Sequence, residues 1–274
     1  MPDISTRNKF RMLSEEKIHK YLERISFCEV PASANFDVLK RLQQQHLLKI
    51  PFENLDIHLG FPITTDIEKF FEKIVINGRG GFCYELNGLF NELLRSIGYS
   101  TSLVSGRVAN SDKGFGEEYD HMAICVHADS NFWLVDVGFG EFTMFPLKLE
   151  CGIEQYDKRG VFLIDKHDEE YFVVKKLMDI GIYEPQYIFS LKERRLSDFE
   201  EMCNYHQTSP KSHFTQKKMC SIALRDGRIT LTDRNLKITK NNIVTEQEIK
   251  DEHVFFDKLK LIFGIELTKG FHPN

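Results

Sequence analysis

Among the six cysteines of this chain, Cys83 alone stands where a thiol gains reactivity. It lies in Arg79-Gly80-Gly81-Phe82-Cys83-Tyr84-Glu85-Leu86-Asn87, and Leu86, Leu89, Phe90, Leu93, Leu94 and Ile97 recur beyond it at helical spacing, closed by Gly98. The spacing predicts a glycine turn that feeds a helix with Cys83 at its amino terminus. Such an end carries partial positive charge and unpaired N–H groups, which depress a thiol's pKa and can hold a developing oxyanion. Packing is the usual role of an arbitrary cysteine, and the double-glycine turn shifts the balance toward chemistry. An anion-binding loop would be another use of the glycines. However, GxxxxGK[ST] is absent, and neither Gly114-Phe115-Gly116 nor Gly138-Phe139-Gly140 completes GxGxxG.

A thiol nucleophile needs a base, and of the ten histidines His121 is the best placed. It opens a strand, Met122 to Val126, followed by a turn at Ala128 to Asn131 and a second strand, Phe132 to Val137. If Ala128 pairs with Asn131 across a two-residue turn, Asp136 faces Ala123 and Gly138 faces His121. His121 and Asp136 then share one sheet face as diagonal neighbours, and Gly138 leaves room above the imidazole. Asp120 is a rival carboxylate, but successive strand residues point to opposite faces. A polar pair satisfying itself at a barrel rim would be the bland alternative. With Cys83 the three form a nucleophile, base and orienter.

The elements that must position them change along the chain. From Ser14 to Gly98 the period is helical, with Ile18, Tyr21, Leu22 and Ile25 in one run and Phe36, Leu39, Leu42, His46 and Leu47 in another, ended by Pro51. Asp66 to Ile76 predicts a short helix behind a Thr65 cap. From Tyr99 to about Tyr205 the period shortens toward two, with further strands expected at Leu103 to Val108, Val161 to Ile164, Tyr171 to Val174 and Tyr187 to Leu191. Short strands with turn signals suggest a small sandwich or barrel. The remainder predicts a hairpin at Asp226-Gly227 with a type I′ turn, and an amphipathic helix from Thr245 to Phe263 ended by Gly264. The expected units are residues 1–98, helical, with the cysteine; 99–205, β-barrel, with His121 and Asp136; and 206–274, an α/β lid.

Composition excludes several classes. The 36 basic and 41 acidic side chains give a net charge of −5, so no global positive field attracts nucleic acid or an anionic membrane. The cysteines form no CxxC pair, which argues against a zinc ribbon or a disulfide framework and fits a reducing, cytoplasmic setting. Met1 to Leu13 alternates charged and polar residues, and no apolar run approaches the roughly 18 residues of a membrane span. Twenty-three phenylalanines against one tryptophan supply core volume and, in part, walls for a flat ligand.

At this point the chain resembles the arylamine N-acetyltransferases. The resemblance rests on the Arg79 to Asn87 segment, on His46 followed by Ile50-Pro51-Phe52-Glu53-Asn54-Leu55, on His121-Met122 and on Asp136-Val137-Gly138-Phe139-Gly140. Weaker agreement lies at Tyr21-Leu22-Glu23-Arg24-Ile25 and at Thr208-Ser209-Pro210 with Phe214. It implies an α+β fold of helical domain, β-barrel and α/β lid around a papain-like cysteine core. It also implies ping-pong acetyl transfer from acetyl-CoA to an arylamine, arylhydrazine or N-hydroxyarylamine through acetylated Cys83, with no metal. Carried over by motif, His121 is the base and Asp136 the orienter. Phe82, Gly138, Phe139 and Gly140 are expected to border the acceptor, and Arg79 with Glu53 to form a structural ion pair. Thr208, Ser209, Lys211 and Ser212 are expected to face CoA. Glu117, Glu118, Tyr119 and Asp120 depart from the family pattern, because carboxylates there repel phosphates.

Two other readings use the same residues. A papain- or transglutaminase-like hydrolase needs the same three side chains but admits water, whereas a transferase requires an apolar, closed site. A non-catalytic CoA-binding or thiol-sensing module needs no base or orienter.

Overall fold

A computed structural model describes residues 13–110 and 114–267; of the Met1 to Leu13 stretch only Leu13 falls within them. Helix α1 (Glu15–Arg24) starts at Ser14, whose hydroxyl accepts from the Lys17 N–H, and buries Ile18, Tyr21 and Leu22. Helix α2 (Phe36–Lys49) is capped by Asn35 and stops before Pro51. A two-residue strand, β1 (Phe52–Glu53), leads to the short helices α3 (Leu55–Leu59) and α4 (Ile67–Phe71). The cap of α4 is Asp66, accepting from the Glu68 N–H, rather than the expected Thr65, and the helix widens into a π turn over Glu72–Ile76. Helix α5 (Cys83–Ser96) begins at Cys83 and is buried over most of its circumference, with the polar Glu85, Asn87 and Asn91 enclosed along with its apolar face.

Among the described residues, eight strands then form one antiparallel sheet. They are β2 (Ser100–Val108), β3 (His121–Ala128), β4 (Asn131–Val135), β5 (Leu147–Lys148), β6 (Glu154–Asp157), β7 (Gly160–Lys166), β8 (Tyr171–Leu177) and β9 (Tyr183–Ser190), in the order β5-β4-β3-β2-β9-β8-β7-β6. The sheet curls into a nearly closed barrel, and the Gln155 side chain bridges the two edge strands. It donates to the Lys148 carbonyl at 2.9 Å and accepts from the Lys148 N–H at 2.7 Å, replacing a ladder rung. Strand β3 serves two cores through its period of two: Met122, Ile124 and Val126 pack with α5, and Ala123 packs inside the barrel with Val104, Phe162, Tyr187 and Phe189.

The chain returns through a 3₁₀ turn (Leu196–Phe199) to α6 (Glu200–Thr208) and α7 (His213–Gln216). Strands β10 (Met219–Leu224), β11 (Gly227–Thr232), β12 (Asn235–Lys240) and β13 (Ile243–Glu248) follow, and α8 (Glu252–Phe263) covers them. Strand β1 completes this sheet by pairing with β10, so the helical region is stitched into the third unit. Two expectations change here. The hairpin turns at Arg225-Asp226, neither of which is left-handed, while Gly227 opens β11. A Cβ on Gly227 would stand 1.8 Å from the Thr239 carbonyl oxygen. The last helix starts at Glu252 behind an Asp251 cap, because the left-handed pair Asn241-Asn242 turns the chain and makes Thr245 part of β13. The expected boundary between 205 and 206 falls inside α6, whose Cys203 belongs to the helical core.

Candidate active site

The turn before Cys83 is shaped by crowding. A Cβ on Gly80 would lie 2.0 Å from the Pro51 carbonyl oxygen, and one on Gly81 would lie 2.8 Å from Glu85 Cβ. Both glycines are needed for close approach, and neither has a positive φ. Arg24 gathers the strands of this turn by donating to the carbonyls of Lys49 (2.7 Å), Gly78 (3.0 Å), Ile74 (3.1 Å) and Arg79 (3.3 Å). Arg79 donates twice to Glu53 Oε1 (2.7 and 3.0 Å) and pairs with Asp56 at 2.7 Å. Lys73 pairs with Asp56 at 2.8 Å and Glu85 at 2.9 Å. Three carboxylates therefore share two cations beneath α5. Burial pushes the Glu85 carboxyl up to about 7 against the pull of Lys73. Glu85 also accepts from the Phe82 N–H at 3.0 Å, one half of a capping box, since phenylalanine has no oxygen for the other half.

Cys83 is thus the first residue of α5, and it is buried. The Ala128 to Asn131 pairing forms as expected, with Asp129 and Ser130 both left-handed in the two-residue turn. Ladder pairing stops at Ile124 opposite Val135, however, so the residue paired with His121 is Gly106 of β2 rather than Gly138. Gly138 instead lies against Cys83: a Cβ there would be 2.8 Å from Cys83 Cα and 2.7 Å from Asn87 Nδ2. The chain beyond β4 has turned onto the start of α5.

His121 Nε2 donates to Asp136 Oδ2 at 2.7 Å, and both side chains are buried. The carboxylate fixes the proton on Nε2 and leaves Nδ1 as the basic nitrogen. Tyr187 donates its hydroxyl to the same Oδ2 at 3.2 Å. Oδ1 accepts from Asn87 Nδ2 (3.0 Å) and the Gly138 N–H (2.9 Å). Asn87, one helical turn beyond Cys83, also donates to the Met122 carbonyl (2.6 Å) and accepts from the Val137 N–H (2.9 Å). Burial pushes the Cys83 thiol up, Cys203, Asp120 and Asp136 add to the rise, and a hydrogen bond from the Met122 N–H opposes it. Enclosure thus works against the lowering expected of a helix terminus.

Cys83, His121 and Gly138 border a cleft of about 1070 Å³. Phe139 lines it with its ring edge-on to His121, centroids 5.0 Å apart, and Gly140 lines it in the left-handed conformation. Phe82 lies behind the wall, packed edge-on against Phe214, which does face the cleft. Lys211 and Ser212 line the opening, whereas Thr208 and Ser209 are not among its lining residues. The Ser212 hydroxyl donates to the His206 carbonyl and caps α7, and Thr208 donates back to Asn204. The acidic run before His121 is largely paired: Glu118 with Arg194 (2.9 Å) and Tyr171 (2.8 Å), Asp120 with His206 (3.2 Å). Glu117 is exposed on the cleft rim. Arg228 of β11 also lines the cleft and donates to the Gly140 carbonyl.

Several of these contributors carry no role in the sequence reading. Asn87 stands in the motif around Cys83 at i+4, a spacing that could have marked it. Arg24 lies in the weakly matching Tyr21 to Ile25 segment without a role assigned there, and Tyr187, His206 and Arg228 give no local signal, because each acts across the fold. Among the described residues no group of histidines, cysteines and carboxylates is arranged to hold a metal, and no helix is long and apolar enough to cross a membrane.

The geometry has close parallels. A sequence profile for a family described as N-acetyltransferase matches residues 35–271. Human arylamine N-acetyltransferase 1 is 31% identical over 280 residues, covering 94% of this chain and 97% of that protein. The arylamine N-acetyltransferase of Salmonella typhimurium superposes with a TM-score of 0.86 at 27% identity, covering 96% of both chains. That of Mycobacterium marinum in complex with CoA gives 0.83 at 30% identity, covering 90% of this chain and 92% of the other. The chain belongs to the arylamine N-acetyltransferase family.

Proposed function

We propose that the protein transfers an acetyl group from acetyl-CoA to an arylamine, arylhydrazine or N-hydroxyarylamine in two steps that share Cys83. The observation that carries this reading is the fixed His121–Asp136 pair in one cleft with a cysteine at a helix amino terminus. In the first step Cys83 Sγ attacks the acetyl carbonyl while its proton moves to His121 Nδ1. The C–S bond to CoA breaks, and the departing thiolate takes that proton. In the second, the amine attacks acetyl-Cys83, loses a proton to His121, and releases the thiol as the C–S bond breaks. His121 takes the thiol proton, and Asp136 stabilises the imidazolium. The first-turn N–H groups of α5 face the developing oxyanion.

The remaining roles follow the same reading. Phe139, with Phe52 and Phe214 on the cleft wall, favours a flat, weakly basic amine and keeps water from the acyl-enzyme. Lys211 and Arg228 supply positive charge for the phosphates of CoA; Ser212 acts through the loop it caps. Arg79 with Glu53 is structural. The working units stay near 1–98, 99–205 and 206–274 around a papain-like catalytic arrangement, with α6 and β1 crossing their boundaries. Six unpaired thiols suit a reducing, cytoplasmic setting.

The test is mass spectrometry after incubation with acetyl-CoA alone. One acetyl group is expected on Cys83, discharged by an arylamine or hydrazine. No adduct, or an adduct on another cysteine, overturns the reading. His121→Gln should abolish turnover while leaving CoA binding in place.

A further inference from the structure

A second histidine–carboxylate pair lines the cleft and takes no part in these steps. His206, on α6, sets Nε2 3.2 Å from Asp120 Oδ1 and 3.3 Å from the Asp120 carbonyl oxygen. Its Nδ1 lies 3.3 Å from Ser212 Oγ. That hydroxyl has one proton, donated to the His206 carbonyl at 3.0 Å, and it accepts from the Phe214 N–H. Nε2 therefore faces accepting oxygens, and Nδ1 faces a hydroxyl oxygen that can accept from it while its own proton serves the His206 carbonyl.

The pair shares the cleft with Cys83 and His121 and is tied to the elements that carry them. Asp120 directly precedes His121, and the hydroxyl of Tyr84, the residue after Cys83, donates to the Tyr119 carbonyl at 2.7 Å with the Asp120 carbonyl 3.3 Å away. Its other carboxylate oxygen takes the Val108 N–H at 3.3 Å, and Gly116 makes room, since a Cβ there would be 2.3 Å from Oδ2. The groups facing His206 are Asp120, Tyr84 from α5 and Tyr205 from its own helix, with Lys211 and Glu117 on the same cleft. Cys83 is faced by His121, Cys203, Asp120 and Asp136, and the charge on Asp120 works against ionisation of its thiol.

We propose that His206 is a positioning residue for acetyl transfer: as an imidazolium it neutralises Asp120 and secures the entrance to β3, so that Cys83 ionises beside a balanced pair instead of a bare carboxylate. The proposal rests on Cys83 being the nucleophile, but its test reads the thiol directly and needs no acetyl transfer. The probe is iodoacetamide, with alkylation of Cys83 followed by peptide mass across pH.

His206→Gln keeps hydrogen bonding but removes the charge, and should move the midpoint of Cys83 alkylation upward by about one pH unit, making it about tenfold slower below the midpoint. Asp120→Asn should move it downward. The Asp120→Asn/His206→Gln double variant should return close to the parent value, a restoration that a merely structural role does not produce. An unmoved midpoint in His206→Gln, or a double variant that keeps the single variant's shift, overturns the proposal. If His206→Gln fails to fold, Asp120→Asn alone decides: an unchanged midpoint refutes it. Shifted alkylation together with no acetyl-Cys83 would retain the electrostatic role and sink the transferase reading instead.

Discussion

Two histidine–carboxylate pairs meet in one cleft, and they differ in how many donors fix each carboxylate. Asp136 accepts from His121, Tyr187, Asn87 and the Gly138 N–H, and its side chain is fully buried. Asp120 accepts from His206 and the Val108 N–H, and its side chain retains 22% exposure. The basic nitrogen of His121 stays available, whereas the second nitrogen of His206 is engaged with Ser212. On the proposed reading, similar chemical pieces serve as a fixed base in one place and a charge-balanced clasp in the other. The number of donors and the loss of water decide between them.

The sharpest way to break this comparison is to neutralise each carboxylate in turn. Asp136→Asn should lower kcat by about 10³ to 10⁴, since the orienting charge and the tautomer are both lost, while Asp120→Asn should change kcat by less than about tenfold. Comparable losses in the two variants, measured by steady-state acetylation, would erase the distinction. Asn87→Ala tests whether donor count matters. It strips Asp136 Oδ1 of one partner and leaves the buried Val137 N–H unpaired, costing about 1–3 kcal/mol of stability by denaturant melt, with a smaller loss of kcat than Asp136→Asn.

Glu85 supplies a third carboxylate with too few cations. It holds its proton more tightly folded than unfolded, so stability should fall as pH rises from the unfolded carboxyl range to about 7, by on the order of 3 kcal/mol. Glu85→Gln keeps an acceptor for the Phe82 N–H and should flatten that slope. Thermal melts whose pH dependence survives the substitution would show that another group titrates.

Much of this arrangement was legible in the chain. The apolar period after Cys83 predicted α5, and the pairing of β3 with β4 followed from a two-residue turn that does form. The same reasoning overextended the ladder to Gly138 and ran the last helix back into β13. Alternation alone does not reveal where a ladder ends, and Asn241-Asn242 was an available turn signal. Phe82 was expected at the wall because it adjoins Cys83, yet a neighbour of a helix's first residue can face the core just as readily.

Sequence by itself determined the local elements and the kinds of chemistry, because helix starts, strand periods and residue types are properties of short segments. Tertiary structure alone decided which histidine received which carboxylate and how deeply each was enclosed. His121 and Asp136 are 15 residues apart, but their partner Tyr187 is 51 residues from Asp136, and His206 is 86 from Asp120. Burial and charge balance arise only when such distant segments close around one volume. The thiol expected to be depressed at a helix terminus is therefore held up by the cleft that encloses it.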